Sequence, residues 1–192
     1  FSNFDPIQRL TYFSITSDWI WHDRIVKGFS LNSYYTADSY STRENEVSFS
    51  SKFQLDLGSI NLTAIPKINI LSTTFKEDFY TRLENDFFSG IGGVSVYSSK
   101  EKGKFKFKLG IQSYLITGDS YTEKNLYYFP DVMITFKPEN SNFAPFLNLN
   151  GEFYQNSFRA LSHSNPYIAP AIRLRSSFSP YKIELGTRSR LS

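Results

Sequence analysis

The sequence predicts an all-β fold, an antiparallel up-and-down β-barrel that spans a membrane with about ten strands. Three observations carry this. The first is alternation, clearest in Asn45 to Asp56, NEVSFSSKFQLD: Val47, Phe49, Ser51, Phe53 and Leu55 share one parity, and Glu46, Ser48, Ser50, Lys52, Gln54 and Asp56 the other. A period of two gives a strand whose two faces meet different surroundings. The second is length: such runs suit a tilted bilayer crossing of about 9–11 residues better than the roughly 5–6 of a soluble strand. The third is the spacing of connections, set out below.

Taken in order, Phe1 to Gln8 reads as a lead-in loop with Asp5-Pro6 as punctuation. Arg9 to Trp21 is a strand with Phe13, Ile15, Trp19 and Trp21 in phase, and Gly28 to Thr36 alternates again. Ala37 to Glu44 is a polar loop before the Asn45–Asp56 strand, which ends at a Leu57-Gly58-Ser59 turn. Ile60 to Leu71 sets Ile60, Leu62, Ala64, Ile68 and Ile70 against Asn61, Thr63, Lys67 and Asn69. Pro66 within it marks a bulge or an irregular edge, since it has no N–H for the ladder. Ser72 to Asp86 is a long connection, with room for a short helix at Phe79 and Leu83 or for a hairpin standing above the membrane.

Phe87 to Ser98 places Phe88, Val94 and Val96 in phase, and Ser99 to Gly103 is a charged turn. Lys104 to Ile116 alternates Phe105, Phe107, Leu109, Ile111 and Leu115 with Lys104, Lys106 and Lys108. After a loop at Thr117 to Asn125, Leu126 to Lys137 aligns Tyr128, Val132, Ile134 and Phe136. A turn at Pro138 to Asn142 precedes Phe143 to Asn156, with Leu147, Leu149 and Phe153 against Asn148, Asn150 and Glu152. Ser157 to Pro166 is a loop, Tyr167 to Ser177 a strand, Phe178 to Pro180 a turn and Tyr181 to Leu191 the last strand.

Short connections (Leu57–Ser59, Ser99–Gly103, Pro138–Asn142, Phe178–Pro180) alternate with long ones (Ala37–Glu44, Ser72–Asp86, Thr117–Asn125, Ser157–Pro166). Outer-membrane barrels alternate in this way, with short periplasmic turns and longer extracellular loops. Aromatics gather at strand ends as two girdles: Phe105, Phe136, Phe143, Phe146, Phe178 and Tyr181 by the short turns, and Tyr114, Tyr127, Tyr128, Phe153, Tyr154 and Tyr167 by the long loops. The alternative with the same period is a soluble β-sandwich or lipid- or glycan-binding barrel with the apolar face turned inward.

Composition agrees with the membrane version. Aromatics make up 18 % of the 192 residues while hydrophobic residues reach only 40 %, below the globular norm of about 45–50 %. A mean hydropathy of −0.35 is expected of alternating strands, whose polar and apolar faces average out. A net charge of +3, from 21 basic and 18 acidic residues, is too balanced for a nucleic-acid partner. With no cysteine, disulfides and thiolate metal sites are excluded. The chain opens on Phe1 and closes without an aromatic, and is expected to be a fragment of a longer barrel chain forming a single domain.

Energetics assign the faces. A Lys or Arg turned to lipid at mid-bilayer costs about 2–4 kcal/mol. Glu46, Lys52, Asp56, Lys104, Lys106, Lys108, Arg173, Arg175, Glu184, Arg188 and Arg190 are therefore expected on a charged inner wall. Val47, Phe49, Phe53, Leu55, Phe105, Phe107, Leu109, Ile111, Ile134, Ile183 and Leu185 are expected to face lipid. The basic residues of the wall either attract anions or pair with Glu46, Asp56, Asp131, Glu152 and Glu184 on neighbouring strands.

No enzyme is expected. His163, in LSHSN, is read as a solvated loop histidine, His22-Asp23 as an exposed turn, and Asp119 with Glu123 as too sparse for Ca²⁺. No metal or cofactor is expected, and no nucleotide loop or nucleophile elbow is present.

Phe158 to Pro170, FRALSHSNPYIAP, preceded by PDVMITFKPENSNFAPFLNLNGEFYQNS, resembles the barrel region of TonB-dependent-receptor-like outer-membrane proteins. There a strand ends in a polar loop, and an Asn-Pro-Tyr segment leads to the next strand. The match covers about the last third of the chain. The resemblance implies an outer-membrane location in a Gram-negative-type envelope and a role as a pore or transporter for solutes. It equally allows a structural or accessory barrel subunit of an envelope complex, with membrane lipids and other envelope proteins as partners. The chain shows no plug domain and no TonB box.

Overall fold

The computed structural model describes residues 9–58, 60–75, 85–119, 125–138, 142–165 and 174–189. Nine strands lie within them: β1 (Leu10–Ile20), β2 (Val26–Asp38), β3 (Arg43–Asp56), β4 (Asn61–Phe75), β5 (Asn85–Lys102), β6 (Phe105–Gly118), β7 (Leu126–Phe136), β8 (Phe143–Tyr154) and β9 (Ser177–Ser189). One short helix, α1 (Phe158–Ser164), sits between β8 and β9. Each strand pairs antiparallel with the next, in the order β1 to β9. The fold is thus an all-β up-and-down meander, and its sheet is not closed: among the described residues β1 and β9 are edges.

Cross-strand partners share a face, so the register carries each face across the sheet. Asn32, Ser48, Asn69, Ile91 and Ile116 are successive partners on one face. Leu31, Phe49, Ile68, Gly92 and Leu115 are successive partners on the other. The first face, which holds α1, is the inner face. Its buried groups are largely polar, among them Thr36, Glu44, Thr63, Thr73, Ser89, Ser95, Asp131 and Thr135. The outer face leaves Phe49, Ile68, Val94, Leu109, Ile111 and Leu147 exposed, and Leu185 is 84 % exposed. Burial is therefore inverted relative to a soluble core.

Several elements differ from the sequence reading. The expected loop Ala37–Glu44 shrinks to 39–42, so connection length does not alternate strictly. The reason is local: the Asp38 carboxylate accepts from the backbone N–H groups of Tyr40 and Thr42 (3.0 and 2.7 Å), closing a tight turn with Ser41 at φ 68°. The Ser99–Gly103 turn is mostly strand; β5 runs to Lys102, and the reversal is made by Gly103 (φ 59°) and Lys104. Pro66 makes no bulge. Its ladder with β5 continues at Val94, whereas the β3 pairing skips the stretch opposite it, from Ser50–Lys67 to Phe53–Ala64.

The largest change follows β8. The expected loop Ser157–Pro166 contains α1, and of the expected strand Tyr167–Ser177 residues 174–176 are not strand while 166–173 lie outside the described residues. The expected Phe178–Pro180 turn lies inside β9, where Pro180 is tolerated because β9 is an edge. The helix expected near Phe79 and Leu83 also falls outside the described residues.

A bulge in β9, which sets Pro180 and Tyr181 opposite Gly151 alone, accompanies a change of face in β8. The register with β9 shifts between Asn150 and Glu152, so Phe153 does not follow Leu147 and Leu149 outward. It stacks instead on Tyr114 and Tyr127, at ring distances of 6.0 and 5.7 Å. Tyr114, Tyr127, Phe129, Phe153 and Phe178 thereby form an inner cluster rather than a girdle, and Phe146 lies inward beneath the Arg188 guanidinium. Phe105, Phe143, Tyr128 and Tyr181 stay exposed. The inner rings need small partners: a Cβ on Gly151 would lie 2.5 Å from Phe129 Cβ, and one on Gly93 2.9 Å from the Tyr114 ring.

Candidate functional site

The most elaborate side-chain arrangement is the seat of α1 on the inner face. Ser157 is the N-cap, its hydroxyl accepting from Ala160 N at 3.1 Å. A seven-residue helix is too short to persist in water without tertiary contacts. Here the contacts are specific. Phe158, fully buried, packs with Leu71, Phe75 and Leu174, and its ring meets Phe75 edge-on at 6.1 Å. Leu10, Phe87 and Leu161 close the rim.

Glu44 latches the helix. Its buried carboxylate accepts from Phe158 N (2.6 Å), Arg159 N (2.9 Å) and the Thr73 hydroxyl (2.8 Å). One charge thereby satisfies two first-turn N–H groups that have no partner within a helix. Two positions along β3, Glu46 takes Arg159 Nη2 at 2.8 Å and Asn69 Nδ2 at 3.2 Å. The same guanidinium lies 4.1 Å over the Tyr34 ring. His163 belongs to α1, with its ring 6.5 Å from Tyr12.

A half-open cleft of about 320 Å³ lies between β3, β4, β5, β6 and the end of β8. Lys67, Asn69, Tyr114, Glu152, Phe153 and Gln155 contribute to its wall. Lower on the same face, Lys108 binds the buried Asp131 at 2.6 Å and lies 4.3 Å over the Tyr97 ring. Lys182 pairs with Glu184 at 2.9 Å, and Glu184 also accepts from Asn148.

The residues singled out from sequence fall as follows. Glu46, Lys52, Asp56, Lys106, Lys108, Glu184 and Arg188 have the register of the inner face. Lys104 and Arg175 do not belong to a strand wall: Lys104 sits in the β5–β6 turn and Arg175 in the α1–β9 connection, where its carbonyl accepts from Asn156. Arg173 and Arg190 lie outside the described residues. Val47, Phe49, Phe53, Leu55, Phe105, Phe107, Leu109, Ile111, Ile134, Ile183 and Leu185 share the outer register. The basic stripe pairs with acids at Lys106–Glu101, Lys108–Asp131 and Lys182–Glu184, as a paired polar wall does.

Glu44, Arg159 and Phe158, the centre of the latch, were not singled out from sequence. Their one signal is that Leu71 and Phe75 carry apolar side chains at the parity of Asn69 and Thr73, which calls for an apolar cover on that face. Asp23 is a turn residue, accepting from Ile25 N and Val26 N, and Asp119 accepts from Phe88 N. Glu123 lies outside the described residues, and among the described residues no cluster of three metal-ligating side chains occurs. No protein-family model, curated protein or solved structure matches the chain.

Proposed function

We propose that this chain forms the wall of an outer-membrane β-barrel that handles solutes, as a pore or transporter. The observation that carries the reading is the inverted burial: large apolar side chains exposed along one face of every strand, and hydrogen-bonded polar groups buried on the other. An apolar surface of that extent is rare on a soluble monomer, and alternation of apolar-out and polar-in is what a lipid-embedded barrel requires. The lining of paired charges gives the inner face the polar character of a solute path. Addition of the folded chain to a planar bilayer is expected to give discrete conductance steps. A chain that inserts without conducting would remove the pore reading, and one that stays folded in water without detergent would remove the membrane reading.

A second reading has its own observation. The α1 latch covers the inner face, and β1 and β9 are unpaired edges among the described residues. Both features suit an accessory barrel subunit in an envelope complex. Stoichiometric co-purification of a partner with no conductance supports it.

A further inference from the structure

We infer that the outer-face end of the β5–β6 hairpin, at Lys100 and Lys102, binds the headgroup of an acidic phospholipid in the leaflet that this end meets. The inference rests on the outer face meeting lipid. Its starting point is where charge stands on that face. From β1 to β7 the paired residues of the outer register carry a charge at Arg43, Asp86, Lys100 and Lys102, and everywhere else are uncharged. Arg43 and Asp86 flank Thr74 at one end of the sheet, so their charges offset each other. Lys100 and Lys102 lie together at the other end, opposite Phe107 and Phe105.

No carboxylate answers these two cations among the described residues. Both side chains are exposed, and neither makes an ion pair or a side-chain hydrogen bond there. Glu101, between them, points inward, where Lys106 and Lys137 hold it at 3.6 and 3.0 Å. Asp56, at the same end, is also in the inner register and accepts from Gly58 N. Two ammonium groups on alternate residues of one strand repel each other, and a shared anion removes that cost.

Depth and neighbours decide which anion. Val96 and Ile111 pair near the middle of the hairpin, with Lys100 and Lys102 four and six residues further along β5. At a rise of about 3.3 Å per residue and a tilt of about 40°, the two lysines stand about 10 and 15 Å from that row. The apolar band of a barrel is about 25 Å tall, so they straddle its edge, where lipid phosphates begin. Beside them the Phe105 ring lies 6.0 Å from Phe107 and 5.0 Å from Phe136. These rings offer an acyl chain an apolar bed next to the two charges. A soluble anion leaves the rings unused, and a zwitterionic lipid brings a cation with its phosphate. A phosphate of net negative charge on an acyl chain answers both the lysines and the rings.

The test is native mass spectrometry of the folded chain in detergent, titrated with phosphatidylglycerol, with phosphatidylcholine of the same acyl chains, or with glycerol phosphate. One phosphatidylglycerol should be retained in preference to phosphatidylcholine, and Lys100→Gln or Lys102→Gln should each weaken it about fivefold. Arg43→Gln, at the opposite end, should leave it unchanged. The lipid should also slow acetylation of Lys100 and Lys102 relative to the inward-facing Lys52, a measurement that needs no variant. Equal retention of the two lipids, competition by glycerol phosphate as strong as by the lipid, folded lysine variants that bind as wild type does, or protection of Lys52 alone overturns the inference. Flotation with phosphatidylcholine vesicles tests the membrane reading separately. A chain that stays behind refutes that reading and this site with it; a chain that floats but retains both lipids equally refutes this site alone.

Discussion

Ile111→Arg tests which medium the outer face meets. Ile111 stands near the middle of β6, with Val96 and Pro130 as cross-strand partners, and is 50 % exposed. No acidic residue faces it in that register. In lipid, an arginine at mid-depth costs about 2–4 kcal/mol, which lowers the folding equilibrium roughly 30- to 900-fold. In water, a half-exposed surface substitution stays within about 0.5 kcal/mol. The two media thus predict values that do not overlap. Ser30→Lys is the control: it adds a cation to the inner face, where the Ser30 hydroxyl now donates to the Asp18 carboxylate. That cation gains an ionic partner, and a change below about 0.5 kcal/mol is expected. The assay is urea-dependent folding into lipid vesicles, read by tryptophan emission and by the gel shift of the folded chain. Equal, near-zero effects of Ile111→Arg and Ser30→Lys refute the assignment of the outer face to lipid.

Four further outcomes are expected. Phe158→Ala removes the ring at the centre of the α1 seat and should lower stability by about 3–5 kcal/mol in the same assay; Glu44→Ala, which strips the acceptor from two backbone N–H groups and the Thr73 hydroxyl, should open Arg159 to cleavage by trypsin in the native state. Gly151→Ala presses a methyl to 2.5 Å from Phe129 Cβ, and overpacking of this kind should cost about 1–3 kcal/mol with loss of the Tyr127–Phe129 ring contacts by NMR. The backbone N–H groups of Arg24, Val26 and Ile25 hold the Asp23 carboxyl below the usual carboxylate range. A depressed pKa stabilises above the unfolded-state value and is lost as pH falls through the folded one. The stability gap between wild type and Asp23→Asn should therefore be largest at neutral pH and shrink by about pH 3, by urea titration.

How much of this was legible depended on whether one residue pattern decided each point. β3 and β6 were plain because most of their side chains obey one alternation, and a single-residue slip would turn each of them to the opposite face. The tight β2–β3 turn was hidden because ADSYSTRE is polar throughout; its length is set by which carboxylate reaches which N–H, and composition does not carry that. The inward turn of Phe153 goes with a register slip opposite Gly151, and a glycine in a strand marks a bulge, a bend or a close contact alike. The α1 latch was least legible. FRALSHS has no helical period long enough to register, and its stability resides in Glu44, over a hundred residues earlier. The off-parity Leu71 and Phe75 announced that something apolar must cover them, without saying what.

That distance along the chain has a consequence for assembly. Among the described residues every strand pairing joins sequence neighbours, so the sheet can grow hairpin by hairpin through contacts of low order. The Glu44–Phe158 bond instead closes a loop of 114 residues. Its closure entropy exceeds that of a hairpin of about ten residues by roughly 2 kcal/mol. The latch gains nothing until β3, β4 and β8 already lie in register, because its acceptors and its apolar seat come from different strands. Docking of α1 therefore requires β3 and β4 to be paired already, and a docked helix certifies that those strands lie in register.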